Sequence, residues 1–103
     1  MNSEVLILYT RKGCCLCQAL EKKFSNICLE NLNPSIALSI VDIDSKKVSL
    51  GIQQKYTNEV PVMVLDSTRL LKKIELPRGS PRLKEDMLLS WLQKHFNILY
   101  KTA

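Results

Sequence analysis

YTRKGCCLCQALEKKF, residues 9–24, is the stretch that decides the fold, because two periodicities meet in it. Up to Thr10 the chain reads EVLILYT (residues 4–10), an apolar run with little polar alternation, as expected of a strand covered on both faces. Arg11-Lys12-Gly13 is a polar turn. From Cys14 onward the apolar residues Leu16, Ala19, Leu20, Phe24, Ile27, Cys28 and Leu32 recur at three- and four-residue intervals. That spacing predicts one face of a helix, with Glu21, Lys22, Lys23 and Asn26 on the other. Asn31 to Ser35, with Pro34, ends it.

Cys14 and Cys17 fall where the strand gives way to the helix. Three residues apart at a helix start, they lie on one side, so their α-carbons can come within the ~4.4–6.8 Å that a disulfide requires. The same placement makes them unequal. Cys14, at or before the first helical residue, is expected to be exposed, its thiolate favoured by unpaired helix N–H groups and the positive end of the dipole. Arg11 and Lys12 add positive charge nearby. Cys17, a turn further in, is expected to be shielded. Cys14 is thus the candidate nucleophile and Cys17 the resolving thiol.

Outward from this point, Ile36–Asp42 (IALSIVD) predicts a second strand, and about Lys46–Tyr56 a polar helix capped by Asp44 or Ser45. Pro61–Leu65 predicts a third strand, Asp66-Ser67-Thr68 a tight turn, and Arg69–Leu76 its antiparallel partner. Pro77–Pro81 reads as a loop, and Arg82–Phe96 as a last helix with Leu83, Met87, Leu88, Trp91 and Leu92 on its apolar face. Ile98–Ala103 is expected to fray. The order β-α-β-α-β-β-α makes the fold class α/β. The expected architecture is one domain over residues 1–103, with a mixed four-stranded sheet flanked by helices.

Composition narrows the function classes. The chain is 46% hydrophobic and 24% charged, near the soluble globular average. No apolar run approaches the ~20 residues of a membrane helix, and Val5–Tyr9 is too short for a signal-peptide core, so a cytoplasmic protein without membrane attachment is expected. The 15 Lys and Arg outnumber the 10 Asp and Glu, but they are scattered and no aromatics are interleaved among them, which argues against a nucleic-acid surface. The four cysteines are Cys14, Cys15, Cys17 and Cys28, too close in sequence to staple distant segments.

A C-x-x-C beside a β-α-β pattern reads as a thioredoxin-like redox motif. YTRKGCCLCQALEKKF also resembles the opening of a glutaredoxin, where a strand ending in Tyr-Thr or Tyr-Ser leads through a basic residue into C-x-x-C. The resemblance covers nearly the whole chain and extends to glutaredoxin-like proteins carrying Cys-Cys-Leu-Cys. It implies a thioredoxin/glutaredoxin fold and a cis bond at Val60-Pro61, with the proline facing the two cysteines. It also implies thiol–disulfide oxidoreductase activity, a role in cell redox homeostasis, and a monomer acting on protein or glutathione disulfides. No resident cofactor or metal is implied, and glutathione would be a co-substrate. Substrate-binding positions carried over are Arg11, Val60 and Pro61, with Gly79 and Ser80 offering backbone N–H groups and a hydroxyl. The chain departs from the family at two places. Cys15-Leu16 stands where dithiol glutaredoxins carry Pro-Tyr, and Arg78-Gly79-Ser80-Pro81-Arg82 stands in place of Gly-Gly-x-Asp-Asp. The acids that would meet the glutathione amine are absent, which leaves a protein dithiol partner open.

Other readings compete at several positions. Cys15 reads as a bystander at the helix start, or as a second resolving thiol. Cys28 reads as a buried small hydrophobe. Structural zinc wants four ligands, and this chain has one C-x-x-C, with His95 far off in the last helix. A bridged iron–sulfur cluster on Cys14, or a binding module that keeps the scaffold without turnover, are the non-enzymatic alternatives. Asp42 and Asp44 read as helix-capping acids and Trp91 as core.

Overall fold

The computed structural model describes residues 4–32, 35–77 and 84–101. In chain order the elements are β1 (Val5–Thr10), α1 (Cys15–Ser25), a 3-10 turn (Leu29–Asn31), β2 (Ala37–Asp42), α2 (Leu50–Tyr56), β3 (Val62–Ser67), β4 (Lys72–Glu75) and α3 (Glu85–Lys101). The sheet order is β2-β1-β3-β4. β1 runs parallel to β2, with Thr10 opposite Asp42, and antiparallel to β3, with Tyr9 opposite Val62. β4 returns antiparallel to β3. The α/β class and the mixed four-stranded sheet expected from the sequence are both present.

Strand alternation divides the core between two faces. On one face Leu6 and Leu8 of β1 and Met63 and Leu65 of β3 pack with Phe24 of α1 and with Leu88, Leu92 and Phe96 of α3. On the other, Tyr9, Val62 and Val64 pack with Ile43 and Tyr56, and the Tyr9 and Tyr56 rings lie 5.4 Å apart. β1 and β3 are therefore covered on both sides, which is why their sequences are nearly unbroken apolar runs.

Several boundaries differ from the sequence reading. The first helix stops at Ser25, not near Leu32. Ser25 Oγ donates to the Lys22 carbonyl (2.6 Å), and the Asn26 and Ile27 N–H groups take the i−3 carbonyls of Lys23 and Phe24. These local bonds tighten and close the helix. A 3-10 turn then carries Leu29 into the core, with Leu32 following. Cys28 caps that turn and is exposed, contrary to the buried hydrophobe expected. Ala19 and Leu16 are exposed as well.

The second helix starts later than expected and is capped by Ser49, whose Oγ accepts from the Ile52 N–H (3.3 Å), not by Asp44 or Ser45. Asp42 Oδ1 accepts from the Asp44 N–H and Ser45 Oγ from the Lys47 N–H, so both side chains are engaged in the preceding turns. Asp66 and Ser67, expected in a tight turn, belong to β3, and the chain reverses at residues 68–71. Leu71 takes a positive φ of 55° there.

That reversal is tied to the two ends of the described chain by Glu4. Glu4 is 2% exposed. Its Oε1 accepts from the Thr68 N–H (3.1 Å), Thr68 Oγ1 (2.9 Å) and the Arg69 N–H (3.0 Å), and its Oε2 accepts from the Tyr100 hydroxyl. Tyr100 belongs to α3, which continues through Lys101, so residues 98–101 do not fray. Met87, expected on the apolar face of this helix, is 56% exposed. Leu83 and the start of the predicted helix lie outside the described residues. Trp91 is half-buried against the core and meets His95 edge-on, ring centroids 4.4 Å apart.

Candidate active site

The C-terminal end of β1 delivers the chain to a turn in which Gly13 adopts φ 77°, a left-handed conformation natural to glycine. The Cys14 N–H donates to the Arg11 carbonyl (3.3 Å), closing the turn. Cys14 then takes extended backbone angles as the N-cap of α1, and its Sγ accepts from the Cys17 N–H (3.1 Å). A sulfur thus occupies the position usually taken by a Ser or Asp oxygen. Cys14 and Cys17 are disulfide-bonded, with Cα–Cα 5.2 Å. Cys14 is partly exposed and Cys17 is 1% exposed. The expected inequality of the two sulfurs is present, although Cys14 is half-buried and not fully open.

Cys15 is a free, exposed thiol, one residue around the helix from the pair. Leu16 is 52% exposed, so the residues between the two bonded cysteines present one thiol and one apolar side chain to solvent. Among the described residues no group of three or more His, Cys, Asp and Glu converges as metal ligands would.

The Val60-Pro61 peptide bond is cis, as the resemblance implied. The β1–β3 pairing sets Val62 opposite Tyr9. Continued by one residue, that register sets Pro61 beside Thr10, at the entrance to the cysteine turn. Val60 and Pro61 are both half-buried and precede β3, so the Val60 backbone lies outside the sheet ladder. Gly79 and Ser80 lie outside the described residues.

Arg11 is where tertiary structure adds most. Its Nε donates to Asp44 Oδ2 (2.9 Å), Nη2 to Asp44 Oδ1 (3.1 Å) and Nη1 to the Thr57 carbonyl (3.0 Å). The bond to Asp44 raises the Arg11 pKa further above its ordinary value. Among the described residues, three of its five N–H donors are used and two remain. Asp44, read from the sequence as a helix cap, is instead the bidentate partner of Arg11. The signal for this was indirect. Once β1 and β2 run parallel with Thr10 opposite Asp42, the residues just past the two strand ends must meet. The pair is exposed, its side chains 33% and 55% accessible, so Asp44→Ala is expected to lower unfolding free energy by less than about 1 kcal/mol in urea titrations.

Solved structures share this architecture. A malarial protein aligns with TM-score 0.59 at 18% identity, covering 91% of this chain and 98% of that one. A mutant thioredoxin from Halobacterium salinarum NRC-1 aligns with TM-score 0.60 at 22% identity, covering 90% and 74%. Thioredoxin O2 from Arabidopsis thaliana in the oxidised state aligns with TM-score 0.59 at 19% identity, covering 95% and 76%. At these identities the likeness is one of fold. Among curated proteins no match is found. The family model of the Glutaredoxin-like domain (DUF836) matches residues 5–93, from the first residue of β1 into α3 and across the cysteine turn and the cis-proline. With that span matched and the thioredoxin-like architecture around it, the chain belongs to the glutaredoxin-like domain family.

Proposed function

We propose that this protein is a thiol–disulfide oxidoreductase in which Cys14 is the nucleophile and Cys17 the resolving thiol. The observation that carries the reading is the inequality of two bonded sulfurs at one helix start. Cys14 is partly exposed and its Sγ accepts the Cys17 N–H, while Cys17 is 1% exposed. In the reduced protein the same N–H and the helix dipole favour a thiolate at Cys14.

The Cys14 thiolate attacks one sulfur of a substrate disulfide. The substrate S–S bond breaks, a mixed disulfide forms, and the leaving sulfur departs as a thiolate that takes a proton from solvent. Cys17, deprotonated, then attacks Cys14 Sγ, which expels the second substrate sulfur and forms the Cys14–Cys17 disulfide. Two electrons pass from the dithiol to the substrate, and an external thiol or dithiol returns them. Protein and glutathione disulfides are the substrate classes. Exposed Leu16 and the unladdered Val60 backbone beside cis-Pro61 support an extended thiol substrate lying across the site. Among the described residues two N–H donors of Arg11 have no partner and are open to such a substrate, and Gly79 and Ser80, outside the described residues, are further contacts by the family resemblance. The cytoplasm, where thiols are kept reduced, suits this chemistry.

The test is a titration against glutathione redox buffers, read by alkylation and mass spectrometry on wild type and Cys15→Ser. A reversible two-electron couple between Cys14 and Cys17 at ~−200 to −300 mV, retained in Cys15→Ser, is expected. A couple that disappears with Cys15, or no couple at all, overturns the reading in favour of a binding module or a cluster carrier.

A further inference from the structure

We propose that β2 is a self-pairing edge through which two copies of this chain join their sheets. The sheet has two edges, and they differ in kind. β4 is four residues long, reads Lys72-Lys73-Ile74-Glu75, and is followed one residue after Leu76 by Pro77. Charged side chains, short length and a nearby proline are the devices that keep an edge from pairing. β2 is six residues long and reads Ala37-Leu38-Ser39-Ile40-Val41-Asp42, with no lysine, arginine or proline. Its pairing with β1 is unbroken from Val5↔Ala37 to Thr10↔Asp42, so no bulge turns the edge away. Ile40, at its centre, is 49% exposed.

The direction of each backbone group follows from the ladder. The Ala37 N–H donates to the Glu4 carbonyl (3.1 Å) and the Ile43 N–H to the Thr10 carbonyl (2.9 Å). In a parallel ladder this phase continues at every second residue. Residues 37, 39 and 41 therefore face β1, and the N–H and C=O groups of Leu38 and Ile40, with the N–H of Asp42, face away. Among the described residues, only the Asp42 carbonyl of this outward row has a further backbone partner, the Ser45 N–H.

A row of this kind fits a second copy of itself. An antiparallel pair with its two-fold axis at Ile40 sets Ile40 opposite Ile40 and Leu38 opposite Asp42. Outward groups then meet outward groups. The two Ile40 residues exchange two bonds, and each Asp42 N–H reaches a Leu38 carbonyl of the other copy. The half-exposed Ile40 side chains cover each other on the same sheet face as Leu38. The charges agree as well. Asp42 is the only ionised residue of the strand, and this register places the two Asp42 residues about 13 Å apart along the ladder, beyond the ~8 Å Debye length at physiological salt. The interface is isologous and closes at two copies. The monomer expected from the sequence took no account of a free edge, which only the strand order reveals.

Sedimentation equilibrium of the reduced protein tests this, with reductant present so that Cys15 and Cys28 form no cross-links. From micromolar to millimolar concentration the mass should rise toward twice the 11.8 kDa of one chain. Ile40→Lys, which would set two ammonium groups together on the axis, should sediment as one chain. Ile40→Pro, which removes an outward-facing N–H and no hydrogen bond to β1, should do the same. Wild-type amide exchange gives a readout free of any folding defect. Leu38, Ile40 and Asp42 should become protected as concentration rises, while Lys73 and Glu75 on the other edge should not. A wild type that stays monomeric at millimolar concentration, or a dimer whose β2 amides remain unprotected, overturns the proposal. The first result would leave the edge to a strand from a different protein.

Discussion

On the proposed mechanism, Cys14→Ser is expected to abolish reduction of a disulfide substrate, and Cys17→Ser to stop the cycle at a mixed disulfide between Cys14 and its substrate. The two outcomes differ because the sulfurs have different surroundings. Cys14 is partly open and accepts a backbone N–H at the head of α1, while Cys17 is 1% exposed one turn behind it. A serine at position 14 leaves the helix capped, since a hydroxyl accepts the same N–H, so the fold is expected to survive while the nucleophile is lost. Activity should fall by a factor on the order of a thousand or more, because an alcohol at neutral pH is not a thiolate. In Cys17→Ser the first displacement proceeds and the second has no sulfur to perform it. Peptide mapping by mass spectrometry after mixing with glutathione disulfide should find glutathione on Cys14. Full turnover in Cys14→Ser would sink the mechanism. Turnover in Cys17→Ser would reassign the resolving role to exposed Cys15, a question that Cys15→Ser/Cys17→Ser then answers.

Glu4→Gln is expected to lower the stability of the fold by about 3 kcal/mol at neutral pH, with a deficit that shrinks as the solution is acidified. Burial on its own would push the Glu4 carboxyl up. Hydrogen bonds from the Tyr100, Ser67 and Thr68 side chains and the Arg69 backbone outweigh it and hold the group at about 2, below the ordinary 4.5. A carboxyl depressed in the folded state contributes its full stabilisation above 4.5 and loses it as pH falls through about 2. Glutamine has no such window. It also keeps one acceptor oxygen of the two, so either the Thr68 and Arg69 donors or the Tyr100 hydroxyl lose the bond they make to residue 4. Burial, with the bond to Glu4, pushes the Tyr100 phenol up to about 12, so this partner stays a donor across the range where most proteins are studied. Urea titrations of wild type and Glu4→Gln between pH 7 and pH 2 provide the check. The two midpoints should converge toward the acid end with equal slopes. A constant gap across that range would mean that the ionised carboxylate contributes nothing and that the cost is steric.

These two sites differ in how much of them the sequence showed. The cysteine pair was legible because every part of it is local. A buried strand, a glycine turn and two cysteines three residues apart at a helix start follow from periodicity and spacing alone. The cis bond at Val60-Pro61 came from family resemblance. The β3–β4 hairpin and the order of elements were legible for the same local reasons, since apolar runs bounded by polar turns mark strands wherever they finally pair.

Boundaries were less legible where side chains compete with the helix ladder. Ser25 ends α1 early by bonding the Lys22 carbonyl, so Cys28 leaves the apolar face and becomes exposed. Asp42 and Ser45 are spent on turns, so α2 begins only at Leu50, behind Ser49. In each case a short polar side chain chose between local backbone partners at similar energy, and periodicity is blind to that choice.

The sequence by itself determined the fold class and the pair of cysteines that defines the site, because strand burial, helix amphipathicity and the C-x-x-C spacing are properties of neighbouring residues. Only the tertiary structure decided what Glu4, Arg11 and Asp44 do. Glu4 looks like the polar start of a strand until the 68–71 turn and α3 close over it, and Asp44 looks like a cap until parallel pairing of β1 and β2 sets it against Arg11. The partners of these side chains lie 33 to 96 residues away. A charged group's role depends on what the fold places within hydrogen-bond reach, and sequence spacing says nothing about contacts at that separation.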